Sequence, residues 1–278
     1  MLRWKEERQG ETALLIEGAR RIGKSTIVEE FAKNEYSSYI LVDFSKTATE
    51  INDLFNDLSD LNYIFLRLQL NYNVSLKERK SLIIFDEVQN NPKARQAIKH
   101  LVKDHRYDYI ETGSLISIRK NVQNIIIPSE ETRITMHPMD FEEFRWAMGD
   151  NVSFTLLKTV LEKKQPLGEA IHRKLMRDFR LYMLVGGMPQ AVDKYIKTND
   201  LSAVDTVKRD IIALYEEDLR KIDTSGKATA MFDAIPSQLS KNASRYTIST
   251  VIPGEKQDRM IDIVQLMEES RVANIAYH

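Results

Sequence analysis

The chain has no cysteine, which removes disulfides, thiolate zinc sites and a cysteine nucleophile, while leaving the compartment open. It also lacks an excess of charge: 40 Lys+Arg face 41 Asp+Glu, a formal net charge of −1. Nucleic-acid binding through bulk positive charge is thereby excluded, and any such contact must be local. Long apolar runs are missing too. LIIF and YILV have the length of strands, far short of the ~20 residues a membrane span needs. The opening MLRWKEERQGE is charged with no apolar stretch behind it, so no secretory leader is expected. Histidine is scarce at five residues, and His100 and His105, five apart, do not share a helical face as a metal pair would. These absences describe a soluble, cytoplasmic protein without membrane contact. With 278 residues, more than one core is expected, a core domain with appendages.

The first half alternates strand-like with helix-like segments. TALLIE (12–17), SYILVDF (38–44), SLIIF (81–85), YDYIETGS (107–114) and ETRITMH (131–137) read as five strands. Between them KSTIVEEFAKN, with Ile27, Val28, Phe31 and Ala32 at helical spacing, and the stretches 47–58, 61–71 and 93–103 read as helices. Pro92 suits a helix start. Strands alternating with helices imply a mostly parallel sheet covered on both faces. Beyond Pro138 the pattern is helical to about residue 222, broken at QPLG (165–168), GGMP (186–189) and TND (198–200). The last stretch mixes short helices with a strand-like end, ANIAYH.

GARRIGKST, residues 18 to 26, fits the phosphate-binding pattern GxxxxGK[ST] and has the required context of strand before and helix after. Gly18, Ala19, Arg20, Arg21, Ile22, Gly23, Lys24, Ser25 and Thr26 are the candidate nucleotide-binding residues. Such a loop turns backbone N–H groups toward phosphate, and the helix N-terminus adds a favourable dipole. Lys24 would reach the β- and γ-phosphates and Ser25 would ligate Mg²⁺. Arg20 and Arg21 are candidates for nucleotide contact, against the ordinary alternative of solvated or ion-paired loop arginines. Asp86 follows four apolar residues, the place of the second metal-holding group, and Glu87 beside it suits activation of the attacking water. P-loop ATPases with that adjacent glutamate carry an extra strand between the loop strand and the metal strand. A polar residue at the end of that strand touches the γ-phosphate. YDYIETGS fits this strand, with Thr112 or Ser114 as the sensing hydroxyl.

GARRIGKST, IIFDEVQ, YIETGS and HPMDFEEF, in this order, resemble a family of prokaryotic AAA-type ATPases with a C-terminal domain of unknown function. YMLVGGMPQAV (182–192), RDIIALYEEDL (209–219) and FDAIPSQLSKNASRY (232–246) are similar to the same family's second half. The resemblance implies an α/β P-loop fold of the AAA+ type at 1–150, a helical lid at 151–226 and a winged-helix-like unit at 227–278. Many relatives carry a glycine-arginine pair before the strand that leads to the PMDFEEF-like segment. Here Thr132 replaces the glycine and Arg133 keeps the cation, giving a candidate phosphate-stabilising arginine or a plain ion-pair partner. Relatives usually continue past ANIAYH into a further domain, nuclease-like in some, so the C-terminal unit is expected to be truncated.

Residues 227–278 hold six Lys/Arg and six Asp/Glu, a poor footprint for duplex DNA. DNA contact through Lys241, Arg245, Lys256 or Arg259 therefore stands against a packing module, and the mixed charge equally suits a protein partner or a second copy of the chain. In RMIDIVQLMEES, Met260, Ile263, Val264 and Met267 form the stripe expected to be buried. The reading is an ATP- and Mg²⁺-dependent hydrolytic switch. Its alternatives are a nucleotide-binding regulator or DNA-binding module with little turnover, and a small-molecule kinase, which Glu87 beside Asp86 disfavours.

Overall fold

A computed structural model describes residues 1–114, 129–240, 246–254, 257–269, 271 and 273–274. The first half builds one parallel sheet from β1 (Ala13–Gly18), β2 (Ser38–Asp43), β3 (Ser81–Asp86), β4 (Asp108–Ser114) and β5 (Glu131–Met136), in the order β2-β3-β4-β1-β5. All five fall where the apolar runs place them, and β4 lies between β1 and β3 as the third-strand argument expects.

Alternation along the strands sends side chains to two separate cores. Leu14, Ile16, Leu82, Ile84 and Ile110 pack on Val28, Phe31 and Ala32 of α2 (Lys24–Glu35). Trp4 of α1 (Leu2–Arg8) joins them, its indole Nε1 donating to the Thr12 carbonyl at 3.2 Å. That short N-terminal helix has no counterpart in the sequence reading. On the other face Ala13, Ile83, Phe85 and Tyr109 meet residues of α3 (Thr49–Asp53), α4 (Leu61–Tyr72) and α5 (Pro92–Asp104). Covered on both faces, the sheet reads as near-continuous apolar runs, and β3 is buried at every position.

The contacts divide the chain into two compact units, Met1–Met136 with Asp218–His278, and His137–Glu217. Residues 227–278 fall in the first of these units. In the second, Phe144 of α6 (Phe141–Ala147) is buried with Val185, Ala191, Val192 and Val204. Helix α10 (Leu201–Ile222) runs through residue 217 without a break that composition could mark. The second unit further contains α7 (Ser153–Glu162), α8 (Glu169–Val185) and α9 (Pro189–Thr198), interrupted close to the predicted breaks. At GGMP a side chain on Gly187 would meet the Met139 carbonyl oxygen at 2.1 Å, so close backbone approach explains that glycine.

Residues 227–278 contribute α11 (Lys227–Asp233), α12 (Ile235–Leu239), α13 (Ile248–Val251) and α14 (Gln257–Glu269). Met267 of the anticipated stripe is buried. The strand expected at ANIAYH lies outside the described residues from 275 onward. Among the described residues no helix is long and apolar enough to cross a membrane.

Candidate nucleotide site

The parallel register aligns the carboxyl ends of β1, β4 and β3, with Gly18 opposite Ser114 and Phe85 opposite Glu111. Open α/β sheets bind ligands at such an edge. From Gly18 the chain turns through the loop and enters α2 at Gly23, whose φ of 90° only glycine adopts without strain. Gly18 is required for a different reason: a Cβ there would lie 2.3 Å from the Met136 carbonyl oxygen. Ala19 and Ile22 point inward and are buried, whereas Arg21 and Thr26 are exposed. The two apolar side chains thus anchor the turn.

Lys24 is buried at the start of α2, with Nζ donating to the carbonyls of Ala19 at 2.8 Å and Gly18 at 3.3 Å. Burial lowers its pKa; the carboxylates of Glu87 and Asp86 pull it back up, and Arg20 lowers it again. Ser25 Oγ donates to Asp86 Oδ1 at 2.7 Å, and Thr112 Oγ1 donates to the same oxygen. Two hard oxygen donors at that spacing suit Mg²⁺, whose octahedral shell at ~2.1 Å sets neighbouring ligands about 2.9 Å apart. Ser25 and Asp86 therefore fit the metal the loop implies.

Glu87 follows Asp86 with a φ of 52°, a left-handed conformation that costs a non-glycine residue about 1 kcal/mol or more and is concentrated at functional sites. Its backbone N–H faces Thr112 Oγ1 at 3.4 Å, and its carboxylate accepts from Gln89 Nε2. Thr112 thus touches both consecutive acidic residues, while Ser114 sits two residues on, beside Gly18.

Arg133 is not brought to this edge. It pairs with Leu15 in the register, three residues before the end of β5, and its Nε donates to Glu131 at 2.7 Å. Arg20 is also ion-paired, to Asp218 of α10. Sequence reasoning missed Gln89 and Asp218. Gln89 lay in plain view beside Glu87, but Asp218 is 198 positions from Arg20, and no local pattern connects them. Lys241, Arg245 and Lys256 lie outside the described residues, as does the side chain of Arg259.

Residues 10–145 match a family model described as an AAA domain, and residues 176–277 match a Domain of unknown function (DUF8612). No curated protein matches the chain. Among solved structures, the chain is similar to the Aeropyrum pernix Orc1 protein in complex with DNA, at 13% identity and a TM-score of 0.36, covering 98% of this chain and 82% of that one. It is also similar to the Pyrococcus furiosus Hef helicase domain, at 13% identity and a TM-score of 0.24, covering 95% and 67% respectively.

Proposed function

We propose that the chain, an AAA-type P-loop protein with a C-terminal domain of unknown function, binds ATP with Mg²⁺ and hydrolyses it as a molecular switch. One observation carries this reading: Lys24, the Ser25–Asp86 pair and Glu87 converge on one sheet edge around a glycine-bounded turn. Ser25 and Asp86 would hold the Mg²⁺, which would supply positive charge at the phosphates.

Lys24 binds the phosphate chain by exchanging its two carbonyl partners for phosphate oxygens. Glu87 accepts the proton of the attacking water. Gln89 orients the glutamate through Oε2, leaving Oε1 for the water. Thr112 is a positioning residue, since its hydroxyl holds Asp86 and faces the Glu87 amide. The sensing of the γ-phosphate falls to Ser114, which borders Gly18, rather than to Thr112. Arg133 keeps its ion pair with Glu131 and takes no part in the chemistry.

Phosphate release and nucleotide binding by the purified chain test this directly. Lys24→Ala is expected to abolish nucleotide binding. Glu87→Gln is expected to retain ATP and lose at least about 100-fold in turnover, the lower range for removing a general base. A Glu87→Gln chain that hydrolyses ATP like the parent removes Glu87 from the mechanism.

A further inference from the structure

Arg20 stands between Gly18 and Gly23, yet its partner comes from the far end of α10. Its Nη1 donates to both carboxylate oxygens of Asp218, at 3.1 and 3.3 Å. The Asp218 side chain is 6% exposed and also receives Lys221 Nζ at 3.3 Å. Arg20 itself is more than one-third exposed, so its guanidinium has room to turn. It is close enough to Lys24 for its charge to lower the ammonium's pKa. A phosphate chain bound by Lys24 would therefore meet the Arg20 charge as well.

We propose that Asp218 competes with the nucleotide's phosphates for Arg20. Without nucleotide the guanidinium is held by Asp218; with ATP it turns to the more highly charged phosphate chain. Lys221 stays with Asp218, which limits the cost of leaving a buried carboxylate short of a cation. Nucleotide binding then loosens the last turns of α10, linking the phosphate loop to a residue of the C-terminal half. The inference rests on the ATP-binding reading and adds a regulator to the same site.

The test is equilibrium binding of a fluorescent ATP analogue with Mg²⁺ to the full chain, Asp218→Asn, Arg20→Gln and the double variant. Asp218→Asn is expected to tighten binding about 3- to 10-fold, or up to ~1.4 kcal/mol. Arg20→Gln weakens binding, and the gain from Asp218→Asn disappears in its background, the signature of direct coupling. Unchanged or weaker binding by Asp218→Asn, or an equal gain without Arg20, overturns the proposal. Amide hydrogen exchange on the unaltered chain gives a second readout in case the substitution disturbs folding. Exchange at residues 217–222 should quicken with ATP, and unchanged or slower exchange contradicts the latch. A parent that binds no better than Lys24→Ala overturns the ATP reading and this inference together. Binding lost in Lys24→Ala but indifferent to Asp218 overturns the inference alone.

Discussion

Beneath the sheet, two carboxyl groups share one guanidinium. Arg95 Nη1 meets Glu111 Oε2 at 3.1 Å and Nη2 meets Glu131 Oε2 at 3.0 Å, with all three side chains at most 1% exposed. One buried cation cannot balance two buried carboxylates, and Glu131 has a second cation in Arg133. Glu111 is the one that keeps its proton: burial raises its pKa well above the carboxylate range, Arg95 opposes the rise and Glu131 adds to it. Because the folded pKa is the higher one, the folded chain holds more protons than the unfolded chain above ~4.3. Its stabilising contribution is complete below that pH and is lost as pH climbs toward the raised pKa. Glu111→Gln, neutral at every pH, should remove this slope. Urea midpoints measured from pH 5 to 8 should fall for the parent and stay flatter for the variant, which gains on the parent as pH rises. Parallel profiles would place the proton elsewhere.

At the scale of elements, α6 shows how a short helix is specified by its first turn. Asp140 accepts from the Glu143 amide at 2.8 Å, and the Glu143 carboxylate accepts from the Asp140 amide at 2.9 Å. This reciprocal cap satisfies two of the amides that a helix start leaves without partners. Asp140→Ala should lower the unfolding free energy by about 1 kcal/mol in denaturant titration, while Asp140→Asn should retain most of it. Three of the strands were legible for a comparable reason: LLI, YILV and LIIF are apolar at both parities, as strands covered on both faces must be. Helix α1 was not, since LRWKEER buries Trp4 alone and its remaining residues look like a solvated charge run. Arg95 was equally hidden, because a basic residue in PKARQAIKH gives no sign that its partners are buried glutamates on two strands.

For the whole molecule, what could be read depended on how far apart the interacting residues lie. The loop from Gly18 to Thr26 is contiguous, and the Asp86–Glu87 pair announces itself by following four apolar residues, so the residues of the proposed site were visible. The placing of β4 between β1 and β3 followed once that pair was recognised, whereas the Thr112 hydroxyl on Asp86 was not foreseen, the sequence giving Thr112 or Ser114 to the γ-phosphate instead. The Asp218 contact and the division after residue 217, inside the continuous α10, depend on tertiary packing, which leaves no periodic or compositional trace. The same distinction bears on how ATP should affect stability. A ligand that binds only the native chain stabilises it by ~2.7 kcal/mol at 100 times its dissociation constant. For a cooperative unit of 150–250 residues this raises the thermal midpoint by about 5–10 °C. The unit containing residues 1–136 and 218–278 falls in that size range, so its unfolding transition should move by this amount when ATP and Mg²⁺ are added. Lys24→Ala should melt near the nucleotide-free parent and show no shift, because the ammonium that would exchange loop carbonyls for phosphates is gone. An equal shift in Lys24→Ala would mean that the nucleotide binds away from Gly18–Thr26, and the site assignment would fail at its first residue.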